Sequence, residues 1–166
     1  MKKILIGITI FALISSASAG SYNQCRKVYD KHIIMPHAGE GERMDRLGVA
    51  YYNGDGVSRD YATAIRYHYQ ACKLGSAQGC NHAGYMYDSG EAVRQSYSIA
   101  RKYFTLACNY GSYIGCYNLA IIYEYGQGIK RSDRKALKYY QKSCKLGFED
   151  ACASYRIVKR YIINTD

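Results

Sequence analysis

One short run of the chain has residue types that could perform acyl-transfer chemistry. Ser132-Asp133-Arg134-Lys135 places a serine three residues before a lysine, the spacing that serine β-lactamases use around their nucleophile. Those enzymes also use S-D-N and K-T-G elements, which this sequence lacks, although Lys-Leu-Gly occurs at 73–75 and 145–147. Because Ser132 also stands where a helix is expected to begin, we interpret it as an N-cap and predict no catalytic residue.

Four histidines are the other residues that could do chemistry: His32, His37, His68 and His82. They form no H-x-H or H-E-x-x-H spacing, and no C-x-x-C pair accompanies them. We therefore expect each histidine to be a packing or surface residue, and we predict no metal and no cofactor.

The first residues are typical of a secretory signal peptide. Lys2 and Lys3 precede an apolar run from Ile4 to Ile14, too short for a transmembrane helix, and Ala17-Ser18-Ala19 supplies a cleavage site. A buried strand or an uncleaved anchor are the alternatives. We expect residues 1–19 to be removed after Ala19, giving a secreted or periplasmic protein that does not span a membrane. In such a compartment disulfides are the default state of cysteines.

The charge of the chain is strongly basic and uneven. The formal net charge is +10, of which Lys2 and Lys3 contribute two, so the mature chain carries +8. Residues 129–166 hold ten Lys and Arg against four Asp and Glu. A basic surface of this kind suits an acidic partner or an anionic surface. Solubility alone is the alternative explanation. We expect no nucleic-acid partner, because the chain has no nucleic-acid-binding motif and is expected to be secreted or periplasmic.

A repeat of 36 residues organises most of the chain. Seven sets of three identical residues keep this step. They are Tyr51, Tyr87 and Tyr123; Gly54, Gly90 and Gly126; Ala64, Ala100 and Ala136; Tyr67, Tyr103 and Tyr139; Cys72, Cys108 and Cys144; Gly75, Gly111 and Gly147; Cys80, Cys116 and Cys152, with glycine-ended helices in the same register. We place the repeats at 44–79, 80–115 and 116–151.

Each repeat has the pattern of two helices separated by glycine turns. Leu119, Ile122 and Tyr123 recur at helical steps, Gly126 ends that helix, and Ser132 or Asp133 begins the next. Stacked helix pairs of this kind build a superhelix. We therefore predict an all-α, right-handed solenoid, with an N-terminal cap at 20–43 and a capping helix at 152–166.

Three pairs of cysteines, each eight residues apart, span the repeat boundaries. Eight residues of continuous helix would separate two Cα atoms by about 12 Å, whereas a disulfide needs them within about 7 Å. Glycines between the cysteines allow the chain to reverse. We predict the pairing that follows the repeat: Cys72–Cys80, Cys108–Cys116 and Cys144–Cys152. Each closed loop is worth roughly 2–2.5 kcal/mol. Cys25 remains as a free thiol, an interchain link or a remnant of a degenerate repeat.

The run from Leu47 to Val57, followed by Asp60 and Ala64, resembles the Sel1-like repeat, a relative of the tetratricopeptide repeat, and similar runs begin at Ala83 and Leu119. With its C-x7-C pairs the chain is similar to the Helicobacter cysteine-rich protein family. That resemblance implies a partner-binding scaffold. It also implies, as an alternative, a penicillin-binding or β-lactamase-like hydrolase.

By analogy with related solenoids, we expect the first helix of each repeat to line a concave groove that binds a protein or peptide. Its tyrosines would supply large contact areas with polar tips. Asp45 and Val49 are also expected on this side, although the tyrosines could instead only fill the solenoid. A periplasmic immunity or inhibitor protein is a second alternative. The candidate partner-binding residues are Tyr52, Asn53, Asn81, Tyr85, Asp88, Tyr117, Glu124 and Tyr125.

Overall fold

The computed structural model describes residues 39–165, and this part of the chain holds seven α-helices and no strand. The predicted signal peptide, nearly all of the N-terminal cap and Cys25 lie outside the described residues. The helices are α1 (Glu40–Asn53), α2 (Tyr61–Lys73), α3 (Ala77–Ser89), α4 (Tyr97–Asn109), α5 (Tyr113–Tyr125), α6 (Asp133–Lys145) and α7 (Glu149–Thr165). None of them is both long enough and apolar enough to cross a bilayer.

The helix ends recur because the capping residues recur. A side-chain oxygen at the start of α2 to α6 accepts a hydrogen bond from the backbone N–H three residues on. At the ends of α1, α3 and α5, a glycine takes the left-handed conformation that other residues adopt at a cost. The N-caps are Asp60, Ser76, Ser96, Ser112 and Ser132.

Small residues and stacked tyrosines fill the space within each repeat. Ala64, Ala100 and Ala136 are fully buried, which lets the two helices of a repeat approach closely. Beside them, one tyrosine of each helix stacks on the other, at centroid distances of 5.5, 5.6 and 5.7 Å in the three repeats. The stacked pairs are Tyr51–Tyr67, Tyr87–Tyr103 and Tyr123–Tyr139.

Each repeat is joined to the helix that follows it by one disulfide, which gives three disulfides in the described residues. Their Cα–Cα distances are 4.4, 4.5 and 4.7 Å, and each pair flanks a turn whose glycine has a positive φ. The bonds are Cys72–Cys80, Cys108–Cys116 and Cys144–Cys152. The predicted fold class, an all-α solenoid stapled by disulfides, is confirmed.

The helices begin a few residues earlier than the repeat boundaries drawn on the cysteines. α1 starts at Glu40 rather than at 44, and α3 and α5 start three residues before Cys80 and Cys116. α7 likewise begins at Glu149 rather than at 152. Ser76 and Ser112 explain the difference, because each caps a helix whose first turn already contains the next cysteine.

The first helices of successive repeats touch one another directly: α1 packs on α3, and α3 on α5. The second helices, α2, α4 and α6, pack on the first helices and barely on each other. The stack is therefore tighter on the side of the first helices. This asymmetry curves a solenoid toward α1, α3 and α5.

Candidate functional site

A cavity of about 280 Å³ opens between α1 and α3 on the side of the first helices. We call it the groove cavity. Three of the predicted partner-binding residues, Tyr52, Asn53 and Tyr85, meet here although 33 residues separate the first from the last. The full lining is Val49, Tyr52, Asn53, His68, His82, Tyr85 and Met86.

Tyr52 is held in place at the edge of this cavity by the following repeat. Its hydroxyl donates a hydrogen bond of 2.5 Å to Glu91, which lies in the turn after α3. This bond raises the pKa of Tyr52, so the phenol stays protonated at neutral pH. The ring also packs against Tyr61 at 5.1 Å. Tyr52 therefore presents a fixed surface to the cavity.

Two of the predicted residues on α3 are only half-exposed. Asn81 accepts a hydrogen bond of 3.2 Å from the side chain of Asn118 on α5, so its amide links two first helices. Asp88 is half-buried, and burial raises the pKa of its carboxyl. Both residues lie outside the lining of the groove cavity.

The predicted residues of α5 differ from one another in exposure. Tyr117 is half-buried and packs on Tyr140 and Phe148 at 5.4 and 5.0 Å. Glu124 accepts a hydrogen bond of 2.5 Å from the hydroxyl of Tyr140. Tyr125 is 70% exposed. These three side chains extend the side of the first helices beyond the groove cavity.

A buried carboxylate lies beneath the groove cavity, where three helices meet. Asp45 is only 6% exposed, which corrects its expected position on the groove surface. Its Oδ1 accepts from Nδ1 of His68 on α2 at 2.7 Å and from Nδ1 of His82 on α3 at 2.8 Å. The His68 ring is buried, whereas the His82 side chain is 39% exposed.

The electrostatics of this cluster favour an ionised carboxylate beside neutral His68. Burial by itself would raise the pKa of Asp45, but the hydrogen bonds from His68 and His82 outweigh it and lower that pKa to about 2. Burial lowers the pKa of His68, and Asp45 opposes this only in part. Neutral His68 can still donate from Nδ1, which leaves its Nε2 without a hydrogen.

Asp45, His68 and His82 also have the donor types of a metal site. One ligand atom from each of them lies within 4.8 Å of the other two. From the sequence both histidines are expected to be packing or surface residues, because the ligand spacings that the chain lacks, such as H-x-H and H-E-x-x-H, lie within one short segment. Here the three ligands come from three helices. The register offers a signal: one repeat later the same positions hold Asn81, Phe104 and Asn118.

Ser132 is the N-cap of α6. Its hydroxyl accepts from the backbone N–H of Lys135 at 3.4 Å. The Lys135 ammonium lies 5.1 Å from the ring centroid of Tyr123, in a cation–π contact. The amine that an S-x-x-K mechanism would use is directed at an aromatic ring, so this motif gives the hydrolase alternative no support.

Comparisons with known proteins agree with this architecture. The family model described as Sel1 repeat matches residues 44–76, 77–112 and 114–148, together more than half of the chain. No curated protein matches the chain in sequence.

Three solved structures are similar. A Sel1 repeat protein from Oxalobacter formigenes is 24% identical with a TM-score of 0.66, over 69% of this chain and 47% of that one. A protective antigen of uropathogenic Escherichia coli strains, displaying an SLR fold, is 29% identical with a TM-score of 0.65, over 68% and 24%. Cysteine-rich protein B of Helicobacter pylori is 26% identical with a TM-score of 0.57, over 70% and 97%. The chain thus spans less than half of the first two structures.

Proposed function

The chain belongs to the Sel1 repeat family, and from that premise we propose that it is an exported scaffold that binds a protein or peptide in the concave groove formed by α1, α3 and α5. The fold is that of a scaffold, typical of protein interaction, and its disulfides indicate an extracellular or periplasmic protein.

The observation that carries the proposal is the groove cavity. Its volume of about 280 Å³ is close to the lower end of small-ligand pockets, about 300–1,000 Å³. That size suits one or two anchoring side chains of a longer partner. Val49 and Met86 give the cavity an apolar surface, while Asn53 and the two tyrosines supply polar groups at its edge.

The tyrosines are suited to recognition because they are large and need little ordering. Tyr52 is already fixed by Glu91 and Tyr61, so binding would cost little further side-chain entropy. Tyr85 is 48% exposed, so it can bury more side-chain area on contact than the half-buried Tyr52. Aromatic residues of this kind are frequent among the few side chains that dominate interface energies.

A second surface, which is basic rather than apolar, lies on the last two helices. Exposed lysines and arginines cover α6, α7 and the preceding turn, and we propose that this surface attracts an acidic partner or an anionic surface. Such an attraction should weaken as salt is raised, since exposed charges are screened. The residues are Lys130, Arg131, Arg134, Lys135, Lys138, Lys145, Arg156, Lys159 and Arg160.

The groove is best tested with displayed linear peptides selected on the oxidised mature protein. We expect enriched peptides, made synthetically, to bind the wild type and to lose at least about tenfold in affinity for Tyr85→Ala, a loss of about 1.4 kcal/mol. The matched control is Tyr69→Ala. Tyr69 lies on α2 and is 46% exposed, close to the 48% of Tyr85.

Tyr69→Ala should bind the selected peptides as the wild type does. Equal binding of all three proteins would place the peptide elsewhere and overturn the groove proposal. So would a selection that enriches no peptide above background.

A further inference from the structure

Three positions that lie together in the fold carry different residue types in the first and second repeats. At the meeting point of α1, α2 and α3 the residues are Asp45, His68 and His82; one repeat later they are Asn81, Phe104 and Asn118. The second set shows that this place in the solenoid can be filled without a charge or an imidazole. In the first set, all three changes introduce groups that ligate metals.

We propose that Asp45, His68 and His82 form a binding site for one divalent transition-metal ion such as zinc. Their ligand atoms lie within 4.8 Å of one another, and two imidazoles with a carboxylate is a donor set found in zinc enzymes and in non-haem iron sites. Nitrogen donors favour such ions over magnesium and calcium, which prefer oxygen ligands alone.

Only a small movement would admit the ion. Ligands about 2.0–2.1 Å from a tetrahedral zinc lie about 3.3 Å from each other, whereas the present N···O distances from Asp45 are 2.7 and 2.8 Å. These two contacts would each have to open by about half an ångström, and the ligand atoms of the two histidines, which lie within 4.8 Å of each other, would have to come to about the same 3.3 Å. His82 can make this movement, because its side chain is 39% exposed. For Nδ1 to bind the ion, each ring must be a neutral imidazole with its hydrogen on Nε2, so the hydrogen that Nδ1 now shares with Oδ1 would pass to solvent and Nε2 would take one up where it has none.

The site has an entrance and an open side. Both histidines line the groove cavity, so an ion can reach them from solvent. Three protein ligands leave a tetrahedral ion one position for water or for a group in the cavity. The backbone also makes room, since a Cβ on Gly48 would lie 2.6 Å from the His68 ring. Metal binding here requires no peptide partner and is independent of the proposed function.

The test is a zinc titration of oxidised mature protein that has been stripped with a chelator and dialysed. Calorimetry should give one ion per chain. His82→Asn and His68→Phe, which copy Asn118 and Phe104 of the next repeat, should each weaken zinc binding at least about tenfold. Asn118→Ala is the matched control and should bind zinc as the wild type does. Circular dichroism confirms that each variant is folded.

X-ray absorption of the zinc complex then identifies the ligand atoms, and only nitrogen and oxygen should appear. Sulfur in that shell would point to Cys25 and overturn the proposal. Undiminished zinc binding by both His82→Asn and His68→Phe would overturn it as well, because the ion would then be held elsewhere, for example by His32 and His37. Absence of saturable binding to the wild type would have the same consequence.

Discussion

The place where α1, α2 and α3 meet, the first junction, has the same backbone arrangement as the second junction, where α3, α4 and α5 meet, but different side chains. In each, a glycine of the first helix faces a planar ring of the second helix: Gly48 faces His68, and Gly84 faces Phe104. A Cβ added to these glycines would lie 2.6 and 2.7 Å from the rings. Beside the ring, the first junction holds a carboxylate bonded to two imidazoles, whereas the second holds the hydrogen-bonded amides of Asn81 and Asn118.

Packing alone therefore does not require the polar cluster of the first junction. Phe104 fills its site with hydrocarbon and needs no partner for a polar atom. His68 is equally buried, and the desolvation of Asp45 and His68 must be offset by their hydrogen bonds. A buried charge that stability does not demand is more readily explained by a binding role at the edge of the groove cavity.

The largest effect is expected from Phe104→Ala, which removes the ring of the second junction. Loss of a buried phenyl group should lower the free energy of unfolding by about 3–5 kcal/mol. Urea denaturation of the oxidised protein measures it. Tyr110→Ala is the control, since Tyr110 is 48% exposed, and it should change stability by no more than about 0.5 kcal/mol. A cost below about 1 kcal/mol for Phe104→Ala would show that the ring is not a packing residue.

A smaller cost is expected from Asp45→Ala in chelator-treated protein. This variant leaves the buried Nδ1–H of His68 without its acceptor, so unfolding should become easier by about 1–3 kcal/mol. Asn81→Ala, the equivalent change at the second junction, removes a half-buried hydrogen bond and should cost about 0.5–1.5 kcal/mol. Equal losses in the two variants would remove the distinction drawn between the junctions.

The finest test transfers the chemistry of the first junction to the second. Phe104→His alone buries an imidazole without a carboxylate, and adding Asn81→Asp should recover part of the lost stability. A double-mutant cycle should give a coupling of about 0.5–3 kcal/mol. Adding Asn118→His as well should raise zinc stoichiometry from one to two ions per chain. If the changes in unfolding free energy of Phe104→His and Asn81→Asp simply add, the new carboxylate does not stabilise the new imidazole.

Helix ends and disulfides could be predicted because they depend on residues close in sequence. Gly126 needs only its own freedom at positive φ, and Ser132 needs only the N–H three residues on. Cys108 and Cys116 face each other once the turn between them reverses. Ser76 caps α3 in the same local way, and the expected start of α3 differs only because the repeat boundaries were placed on the cysteines.

The histidine cluster could not be predicted in the same way. The helical register of Asp45 gives the direction of its side chain from α1, but not which residues of α2 and α3 cover it. His68 and His82 complete the cluster only when three helices have packed. A comparison of the repeats position by position would have shown the departure at these three registers, although not the distances between the side chains.

The disulfides also affect how the folded protein responds to proteolysis. The turns between repeats are exposed, and they contain Lys73 with Leu74 and Lys145 with Leu146, where a trypsin-like enzyme could cut. Each of these peptide bonds lies inside a loop closed by a disulfide. A single cut there would leave both fragments covalently joined and still packed against each other. A nicked molecule would thus keep its stacked repeats, and only reduction would release the pieces.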